Sequence, residues 1–318
     1  MPSVAEVPDA DALMATARRP LALGIGGGGD VVGALASAEL CRRYHGAQPV
    51  VGGTSWERVA IDPQPGPRSE AEIEGARPLA PGVLAAGPQT QVRGSGVLFA
   101  ESRMAGLLGE EVLLVDVTRG PRTIASGLAA AADGLGCDLL LFVDVGGDVL
   151  GHGDEPGLAS PLCDALMLAA ASHLADAGRA VLGAVFGAGC DGELPPAQVL
   201  ERLAEVGAAG GLAGARGLTP VVAERLAAAV EAIPTEASAQ ALRCFRGETG
   251  TTAIRGGRRT VELSPVGAIS FYYDVPAALR SAARLAQAVR DAQDLEDANA
   301  TLNELGVFTE LDYERGGV

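Results

Sequence analysis

The stretch Leu21–Leu40, LALGIGGGGDVVGALASAEL, carries the sequence pattern that decides the fold. A short apolar run leads into a glycine-rich turn, and the turn leads into a helix of small residues. In this context bare backbone amides and the helix dipole favour an anion, and the GxGxxG spacing of dinucleotide-binding turns is formally present. The substrate-binding candidates in this turn are Gly26, Gly27, Gly28, Gly29 and Asp30.

Asp30 stands where the pyrophosphate of a dinucleotide would bind. A carboxylate at that position competes with phosphate for the same amides or repels it. The next predicted strand ends in GGTSWE, which offers no acid for an adenosine ribose. Three roles for Asp30 stay open: it caps the helix, it holds a metal that bridges to phosphate, or it binds a cationic or hydroxylated ligand.

The composition excludes several classes of function. With a net charge of −16, the 318-residue chain repels nucleic acids and anionic membranes, so neither is predicted as a partner. All 24 basic residues are arginines, and the lack of lysine excludes a Schiff base or an internal pyridoxal aldimine. Five cysteines without a CxxC pair argue against a disulfide framework and a zinc site.

The N-terminal segment and the hydropathy pattern bear on localisation. The acidic start, MPSVAEVPDADALM, differs from a signal peptide, and no apolar run has the length of a membrane span. We therefore expect a cytoplasmic protein with a small-molecule substrate, and we leave homo- and hetero-oligomers open.

Short apolar runs alternate with longer helical ones along the chain, which predicts an α/β fold with a mostly parallel sheet. Continuous apolar strands are typical of a sheet that is buried on both faces. The predicted strands are Leu21–Ile25, Pro49–Gly52, Glu111–Asp116, Leu139–Asp144 and Ala180–Phe186. The predicted helices are Val31–Tyr44, Thr123–Leu135, Pro161–Ala177, Pro196–Val206 and Pro220–Ile233.

A single domain spanning residues 1–318 is predicted, with a core at about 20–250 and a C-terminal elaboration of strands and helices at about 251–318. Asp62–Gly96 is rich in Pro, Gly and Gln, which predicts a small hairpin and a loop near the C-terminal edge of the sheet. Thr251–Tyr273 predicts two or three strands. A helix over Val275–Gln293 and another from Leu295 onward are expected to close the chain.

The second motif is FVDVGGDVLGHGDEPGLASPLCDALM, Phe142–Met167. A buried strand leads into a glycine-rich loop with five titratable groups, and such loops form the ligand-binding edge of parallel sheets. Asp144 and Asp148 flank a turn and can share a divalent metal through oxygen ligands, while His152 is a candidate general base. The catalytic candidates are Asp144, Asp148 and His152, and Asp154 and Glu155 are candidates for substrate binding.

Other strand ends offer further polar groups. In VDVTRGPRT, Asp116 ends a strand, and Arg119 or Arg122 at the following helix start can clamp an anion or pair with an acid of the same edge. Cys190 lies in a polar glycine loop, as a filler or a nucleophile. The remaining substrate-binding candidates are Glu101, Arg103, Asp116, Thr118, Arg119 and Arg122.

The two glycine-rich motifs carry a family resemblance. GIGGGGDVVGALA together with DVGGDVLGHGDEPGLASPLCDALML resembles the domain of unknown function 1152 family from about Leu21 to Tyr273, which implies a Rossmann-like three-layer α/β fold. A local similarity to D-glutamate cyclases, with their DGGNE-x-GMG-like loop, suggests ring closure on a small amino acid. In this chain, Asp148-Val149 replaces the Asn-Glu pair of that loop.

At least four strand ends therefore carry polar or acidic loops that should converge. Crowded acids need a divalent cation, arginines or an amine substrate to offset their repulsion. We expect a non-redox enzyme, a lyase, cyclase or transferase, that acts on a small amino-acid-like metabolite by cyclisation, elimination or group transfer, with Mg²⁺ or Mn²⁺ as candidate cofactors. Two alternatives stay open: a Mg²⁺- or Mn²⁺-dependent enzyme that binds a nucleotide or phosphate ester through the glycine loop, and a non-catalytic small-molecule-binding protein.

Overall fold

A computed structural model describes residues 9–316, so the first eight residues of the N-terminal segment discussed above lie outside it. The strands are β1 Pro20–Gly24, β2 Val50–Thr54, β3 Ile73–Ala80, β4 Val83–Val92, β5 Val112–Val115, β6 Leu139–Val145, β7 Val181–Phe186, β8 Leu212–Gly217, β9 Gly250–Ile254, β10 Arg259–Leu263 and β11 Ile269–Tyr273. The helices are α1 Ala10–Thr16, α2 Asp30–His45, α3 Ala100–Leu108, α4 Pro121–Leu135, α5 Pro161–Asp176, α6 Pro196–Ala208, α7 Pro220–Ala232, α8 Ala237–Phe245, α9 Val275–Arg280, α10 Arg284–Ala288, α11 Leu295–Glu304 and α12 Glu310–Glu314.

Nine of the described strands form one sheet in the order β3-β4-β5-β2-β1-β6-β7-β11-β8. The central strands β5, β2, β1, β6 and β7 are parallel, whereas β4 and β11 pair antiparallel with the flanks of this block. From β1 the chain proceeds through β2 to β5 on one side, and it then crosses to β6 and β7 on the other. The point between β1 and β6 is therefore a topological switch point, where open α/β sheets form a crevice at the carboxyl ends of the strands.

Helices cover both faces of the sheet, which confirms the predicted three-layer α/β class. Helix α2 packs with α7 and α8 on one face, and α5 packs with α4 and α10 on the other. Strands β1, β6 and β7 are buried along their whole length, which explains their uninterrupted apolar sequences. Gly46 caps the C-terminus of helix α2. It adopts the left-handed conformation, with φ of 68°, which glycine accepts without strain.

Several elements differ from the sequence prediction. The hairpin predicted in the Asp62–Gly96 stretch is present as β3–β4, but it extends the main sheet, because β4 pairs with β5. Strand β8 and helix α8 were not predicted: LAGARG is mostly exposed and has no β-branched residue, and ASAQALRCF is only nine residues long. The predicted helix Val275–Gln293 is broken into α9 and α10 at Ser281, and the final helix is divided into α11 and α12.

The stretch Thr251–Tyr273 forms three strands, as expected, but they belong to two sheets. Strands β9 and β10 form a separate antiparallel hairpin, whereas β11 inserts into the main sheet between β7 and β8. Among residues 9–316, no helix is both long and apolar enough to cross a membrane.

Candidate functional site

Three aspartates meet at the switch point between β1 and β6. Asp30 begins α2, Asp144 is the second-last residue of β6, and Asp164 lies in the first turn of α5. One oxygen from each of the three carboxyl groups lies within 4.8 Å of the other two. We call these three residues the inner cluster. The structure thus brings Asp30 and Asp144 together and adds Asp164, which the sequence analysis did not select.

The inner cluster is almost entirely withdrawn from solvent. Asp30 is 8% exposed, Asp144 1% and Asp164 2%. The Gly26 amide donates to Oδ2 of Asp30 at 3.0 Å, and the Gly147 amide donates to Oδ2 of Asp144 at 2.9 Å. Within residues 9–316, Oδ1 of Asp164 has no hydrogen-bonding partner. A buried carboxylate oxygen without a partner is costly, so its position calls for a cation or a proton.

Burial and mutual repulsion hold the inner cluster toward its protonated form. Burial raises the pKa of Asp30 to about 6, against the opposing charge of Arg58. Burial also raises the pKa of Asp144 and of Asp164 well above the usual value, and the carboxylates of the cluster add to this effect by repelling one another. A divalent cation reverses this preference, because it replaces the protons with stronger positive charge.

A second cluster lies beside the inner one and consists of Asp148, Asp191 and Glu193, with one oxygen of each within 4.8 Å of the others. Asp148 follows Gly146 and Gly147, whose φ angles of 134° and 113° need glycine. Burial raises the pKa of Asp148 well above its usual value, and it raises that of Asp191 to about 7. Asp148, predicted to share a metal with Asp144, therefore lies in this neighbouring cluster.

The two clusters differ in how their oxygens are used. Glu193 accepts hydrogen bonds from the amides of Ala159 and Ser160 at 2.7 and 2.9 Å and forms an ion pair with Arg259 at 2.7 Å. Although burial alone would raise the pKa of Glu193, Arg259 and the Ser160 hydroxyl lower it. Glu193 is therefore already neutralised, which makes the second cluster a poorer cation site than the inner cluster.

The N-terminus of α5 is closed by a residue from the far end of the chain. Glu310 of α12 accepts hydrogen bonds from the amides of Leu162 and Cys163 at 3.0 and 2.8 Å. This carboxylate occupies the anion-binding position of the helix terminus. Burial nevertheless raises its pKa to about 7, against the effect of those two amides. The C-terminal helices therefore complete the wall of the site.

The glycine-rich loop lets acidic side chains approach its backbone closely, and two of its amides are already hydrogen-bonded within the protein. A Cβ on Gly26 would lie 2.6 Å from Oδ2 of Asp30 and 2.9 Å from Oδ2 of Asp164, so only glycine lets these acids converge. The Gly26 amide donates to Asp30, and the Gly28 amide donates to the carbonyl of Trp56 at 2.7 Å. Two of the amides that would cradle a phosphate are thus used inside the protein.

A family model described as "Protein of unknown function (DUF1152)" matches residues 21–317. The chain belongs to this family. The match confirms the resemblance that the two glycine-rich motifs carry, and it extends through the C-terminal helices. No curated protein and no solved structure matches the chain, so the local similarity to D-glutamate cyclases has no support.

Tyr273 adds an uncharged group to the site of this DUF1152 protein. The residue lies on β11 opposite Gly183, and its ring covers that glycine, where a Cβ would be 2.2 Å from the ring. Its hydroxyl is fully buried and has no hydrogen-bonding partner in the part of the chain that the structure describes. Burial, together with the charges of Asp144 and Asp164, raises the pKa of Tyr273 well above its usual value.

His152, predicted as a general base, belongs to a different set of contacts. Its Nε2 lies 2.9 Å from Glu205, and its amide donates to Glu155, which in turn pairs with Arg202 at 2.9 Å. We call His152, Glu155, Arg202 and Glu205 the outer network. Asp154 is exposed beside it. Although burial alone would raise the pKa of Glu155, the amides of His152 and Gly153 and the Arg202 guanidinium lower it.

The predicted cluster after β5 is also self-contained. Asp116 accepts hydrogen bonds from the amide and hydroxyl of Thr118 at 3.0 and 2.6 Å and pairs with Arg119 at 3.2 Å. Arg119 also contacts Glu70, and Arg122 pairs with exposed Asp291. This geometry gives no support to an anion clamp at Arg119 or Arg122 and favours the ion pair within one edge.

A pair of buried glutamates lies on the side of the inner cluster toward β2. Glu101 lies in the first turn of α3, and both of its carboxyl oxygens lack hydrogen-bonding partners within the described residues. Glu57 accepts a hydrogen bond from the Ala100 amide, and burial raises its pKa to about 7. Burial and the Glu57 charge raise the pKa of Glu101 well above its usual value. Arg103, predicted with Glu101, acts at longer range as a charge that lowers the pKa of Glu57.

Cys190, the candidate nucleophile, lies in a sulfur pair. The Sγ atoms of Cys190 and Cys244 lie 2.9 and 2.7 Å from the position of a Cβ on Gly267. A hydrogen bond with Cys244 and burial raise the pKa of Cys190 well above its usual value, which disfavours the thiolate that a nucleophile needs. The structure therefore gives no support to nucleophilic catalysis at this residue.

Four groups that the structure brings to the site were not predicted from the sequence: Asp164, Tyr273, Glu310 and Arg58. Asp164 carried a detectable signal, because it lies on the motif Phe142–Met167 just inside a helix start. Arg58 follows the end of β2, at the edge where ligands bind, but its loop lacks a motif. Glu310 and Tyr273 come from the C-terminal elaboration, and no local pattern connects them to the glycine loops.

Proposed function

We propose that this protein is a non-redox enzyme that binds Mg²⁺ or Mn²⁺ at the inner cluster and acts on a small polar metabolite by cyclisation, elimination or group transfer. The observation that carries the proposal is the buried convergence of Asp30, Asp144 and Asp164, with one Asp164 oxygen left without a partner in the described chain. Hard divalent cations prefer such carboxylate oxygens, and the switch point is where this fold class binds ligands.

The residues around the inner cluster suit proton transfer as well as binding. A bound cation supplies Lewis-acid polarisation of a substrate oxygen. Burial and the neighbouring carboxylates raise the pKa of Asp148, which favours its protonated form, and its Oδ2 has no partner in residues 9–316. A protonated carboxyl beside the substrate can act as a general acid and, after donating, as a general base. The buried Tyr273 hydroxyl can donate a hydrogen bond in the same space.

The alternative in which a nucleotide binds through the glycine loop has less support, since the Gly26 and Gly28 amides already donate within the protein. A substrate ammonium group can also satisfy the inner carboxylates directly, which keeps amino-acid-like substrates in the proposal. The cytoplasmic location stays a prediction of the sequence, as does the oligomeric state.

The experiment is a titration with Mn²⁺, followed by electron paramagnetic resonance and calorimetry, on the metal-stripped protein. We expect one Mn²⁺ per chain in the wild type, loss of this binding in Asp164→Asn, and unchanged binding in the matched control Asp291→Asn, which alters an exposed acid that pairs with Arg122. Binding that survives in Asp164→Asn would place the cation elsewhere.

The hypothesis that a substrate ammonium group binds the inner cluster is tested on the same three proteins. Thermal shift is measured with a panel of amino acids and amines in the absence of metal. If only ligands with an ammonium group raise the melting temperature and the protein does not bind Mn²⁺, the ammonium group of the substrate neutralises the inner cluster in place of a metal ion. Turnover is then sought by mass spectrometry of metabolite mixtures incubated with wild type and Asp148→Asn. Ligand binding without any turnover would favour the non-catalytic binding protein.

A further inference from the structure

Two arginines beside the inner cluster have guanidinium groups with unused donors. The Arg58 side chain makes one hydrogen bond to the described residues, from Nη2 to the carbonyl of Gly26 at 3.1 Å. The Arg255 guanidinium makes no hydrogen bond to residues 9–316, and its nearest carboxylate is Glu193 at 4.0 Å. Arginine carries five N–H donors, so both residues keep most of theirs available.

Both arginines are fixed in position by the backbone around them. The stem of Arg58 crosses the glycine loop, with its Cγ 3.1 Å from the position of a Cβ on Gly28. The Arg255 amide donates to both oxygens of Glu236, at 3.0 and 2.9 Å. Arg255 has a φ of 51°, which is the one positive φ of a non-glycine residue in the described chain. Such a conformation persists where surrounding contacts impose it.

Both guanidinium groups lie beside the buried acids of the site. Arg58 donates to the carbonyl of Gly26, whose own amide donates to Asp30, and Arg255 lies 4.0 Å from Glu193 of the second cluster. Burial lowers the pKa of Arg255, and repulsion from Arg58 and Arg259 lowers it further. The charges of Glu193, 4.0 Å away, and of Asp191 offset this lowering only in part, whereas Arg259 is paired with Glu193 at 2.7 Å.

We propose that Arg58 and Arg255 form an oxyanion subsite next to the inner cluster and bind a carboxylate or phosphate group of the substrate. This inference rests on the proposed function, whose cation binds the same substrate from the side of the aspartates. The anion relieves the repulsion between the two guanidinium groups, and their planar donor sets match the oxygens of either group. The substrate is then a small metabolite with at least one oxyanion, oriented between a cation and two arginines.

The test follows the fluorescence of Trp56, the chain's sole tryptophan, whose carbonyl contacts the glycine loop two residues before Arg58. Inorganic phosphate and acetate are titrated separately, with and without Mn²⁺, at constant ionic strength. The variants are Arg58→Gln, Arg255→Gln and Arg255→Gly, and the control is Arg122→Gln, which alters a surface pair. Because glycine accepts a positive φ without strain, Arg255→Gly is expected to stay folded.

We expect the wild type and Arg122→Gln to bind one of the two anions, and the Arg58 and Arg255 variants to bind it about ten- to a hundredfold more weakly. A preference for phosphate identifies a phosphorylated substrate, and a preference for acetate identifies a carboxylate. If Mn²⁺ binds but neither anion does, or if the arginine variants bind like the wild type, the subsite is wrong and the proposed function stands. If arginine-dependent anion binding occurs without Mn²⁺ binding, the subsite stands and the proposed cation is wrong.

Discussion

The inner cluster and the outer network both take buried acids from the stretch Phe142–Met167, but they have opposite contact patterns. In the outer network every buried acid has a partner: Glu155 accepts two amides and a guanidinium, and its side chain is fully buried. In the inner cluster, three buried aspartates face one another, and Arg58 is a more distant counter-charge. Acids in ion pairs stabilise a scaffold, whereas acids held together without an ion pair among the described residues reserve the position for a ligand.

The largest effect is expected where a partner is removed from the outer network. Arg202→Ala leaves Glu155 buried and unpaired, and losing one member of a buried pair destabilises by about 3–5 kcal/mol. Urea unfolding measures the change. Arg122→Ala removes an exposed ion pair and should change stability by about 1 kcal/mol or less. A loss of similar size in both variants would remove the distinction between the two regions.

The inner cluster should respond in the opposite direction. Asp164→Asn removes a negative charge from a crowded, buried set, so the metal-free protein should gain about 1–2 kcal/mol at pH 8. The same change should weaken Mn²⁺ binding by about 100-fold or more, since loss of a ligand exceeds the effect of a supporting residue. Unfolding and calorimetry on the same samples provide both values. Lower stability of the metal-free variant would mean that Asp164 is structural.

Buried carboxyl groups that form no ion pair among the described residues should also determine how stability depends on pH. The folded-state pKa of Glu57 is about 7, above its unfolded value of 4.5, so the folded state holds the extra proton between these values. Its contribution to stability is complete below about pH 4.5 and is lost as the pH rises to about 7, by roughly 2–3 kcal/mol. Unfolding curves from pH 5 to 8 test this.

Glu101→Gln sharpens the pH prediction, because it removes a second buried carboxyl group, whose pKa burial and the Glu57 charge raise. The fall in stability between pH 5 and 8 should become shallower in this variant. Glu155 has a lowered pKa, so the outer network loses its contribution on the acid side instead. A wild-type protein that is most stable at pH 8 without metal would contradict the assignment of buried, partner-poor acids.

The smallest effect is expected at the tyrosines of β11. Tyr273→Phe removes a hydroxyl without a partner in the described chain, so stability should change by about 1 kcal/mol or less, with no loss. The matched variant Tyr272→Phe removes the 2.9 Å hydrogen bond to Ser37 and should destabilise by about 1 kcal/mol. Substrate turnover separates them further, since Tyr273 faces the inner cluster and Tyr272 does not contact it.

The sequence predicted the fold and the location of the site because both depend on local patterns. Apolar runs of the right length identified the five parallel strands, and acids after β1 and β6 had to meet wherever those strands are neighbours. The pairing of Asp30 with Asp144 follows from this rule. The role of the loop after β7, and the division of acids into paired and unpaired sets, do not follow from it.

Long-range contacts explain what the sequence could not show. Glu310 caps α5 from almost 150 residues away, and Arg202 neutralises Glu155 from a different helix. An Asp or Glu residue looks the same in the sequence whether or not its carboxylate pairs with an arginine, so the sequence does not distinguish a ligand-binding carboxylate from one in an ion pair. For this reason the sequence leaves both an anion clamp and an ion pair open for Arg119 and Arg122, and the structure pairs them with Asp116 and Asp291.

The crowded glycines of the first loop have a consequence for mutational scanning. A Cβ on Gly24 would lie 2.3 Å from the backbone of Asp30, and one on Gly29 would lie 2.3 Å from Thr235. These are steric limits of the apoprotein, so alanine should be rejected there whether or not any ligand is supplied. Positions that fail only under selection for activity, and not in an assay of protein abundance, would then mark the chemistry. The loop thus provides an internal standard that separates folding defects from functional ones.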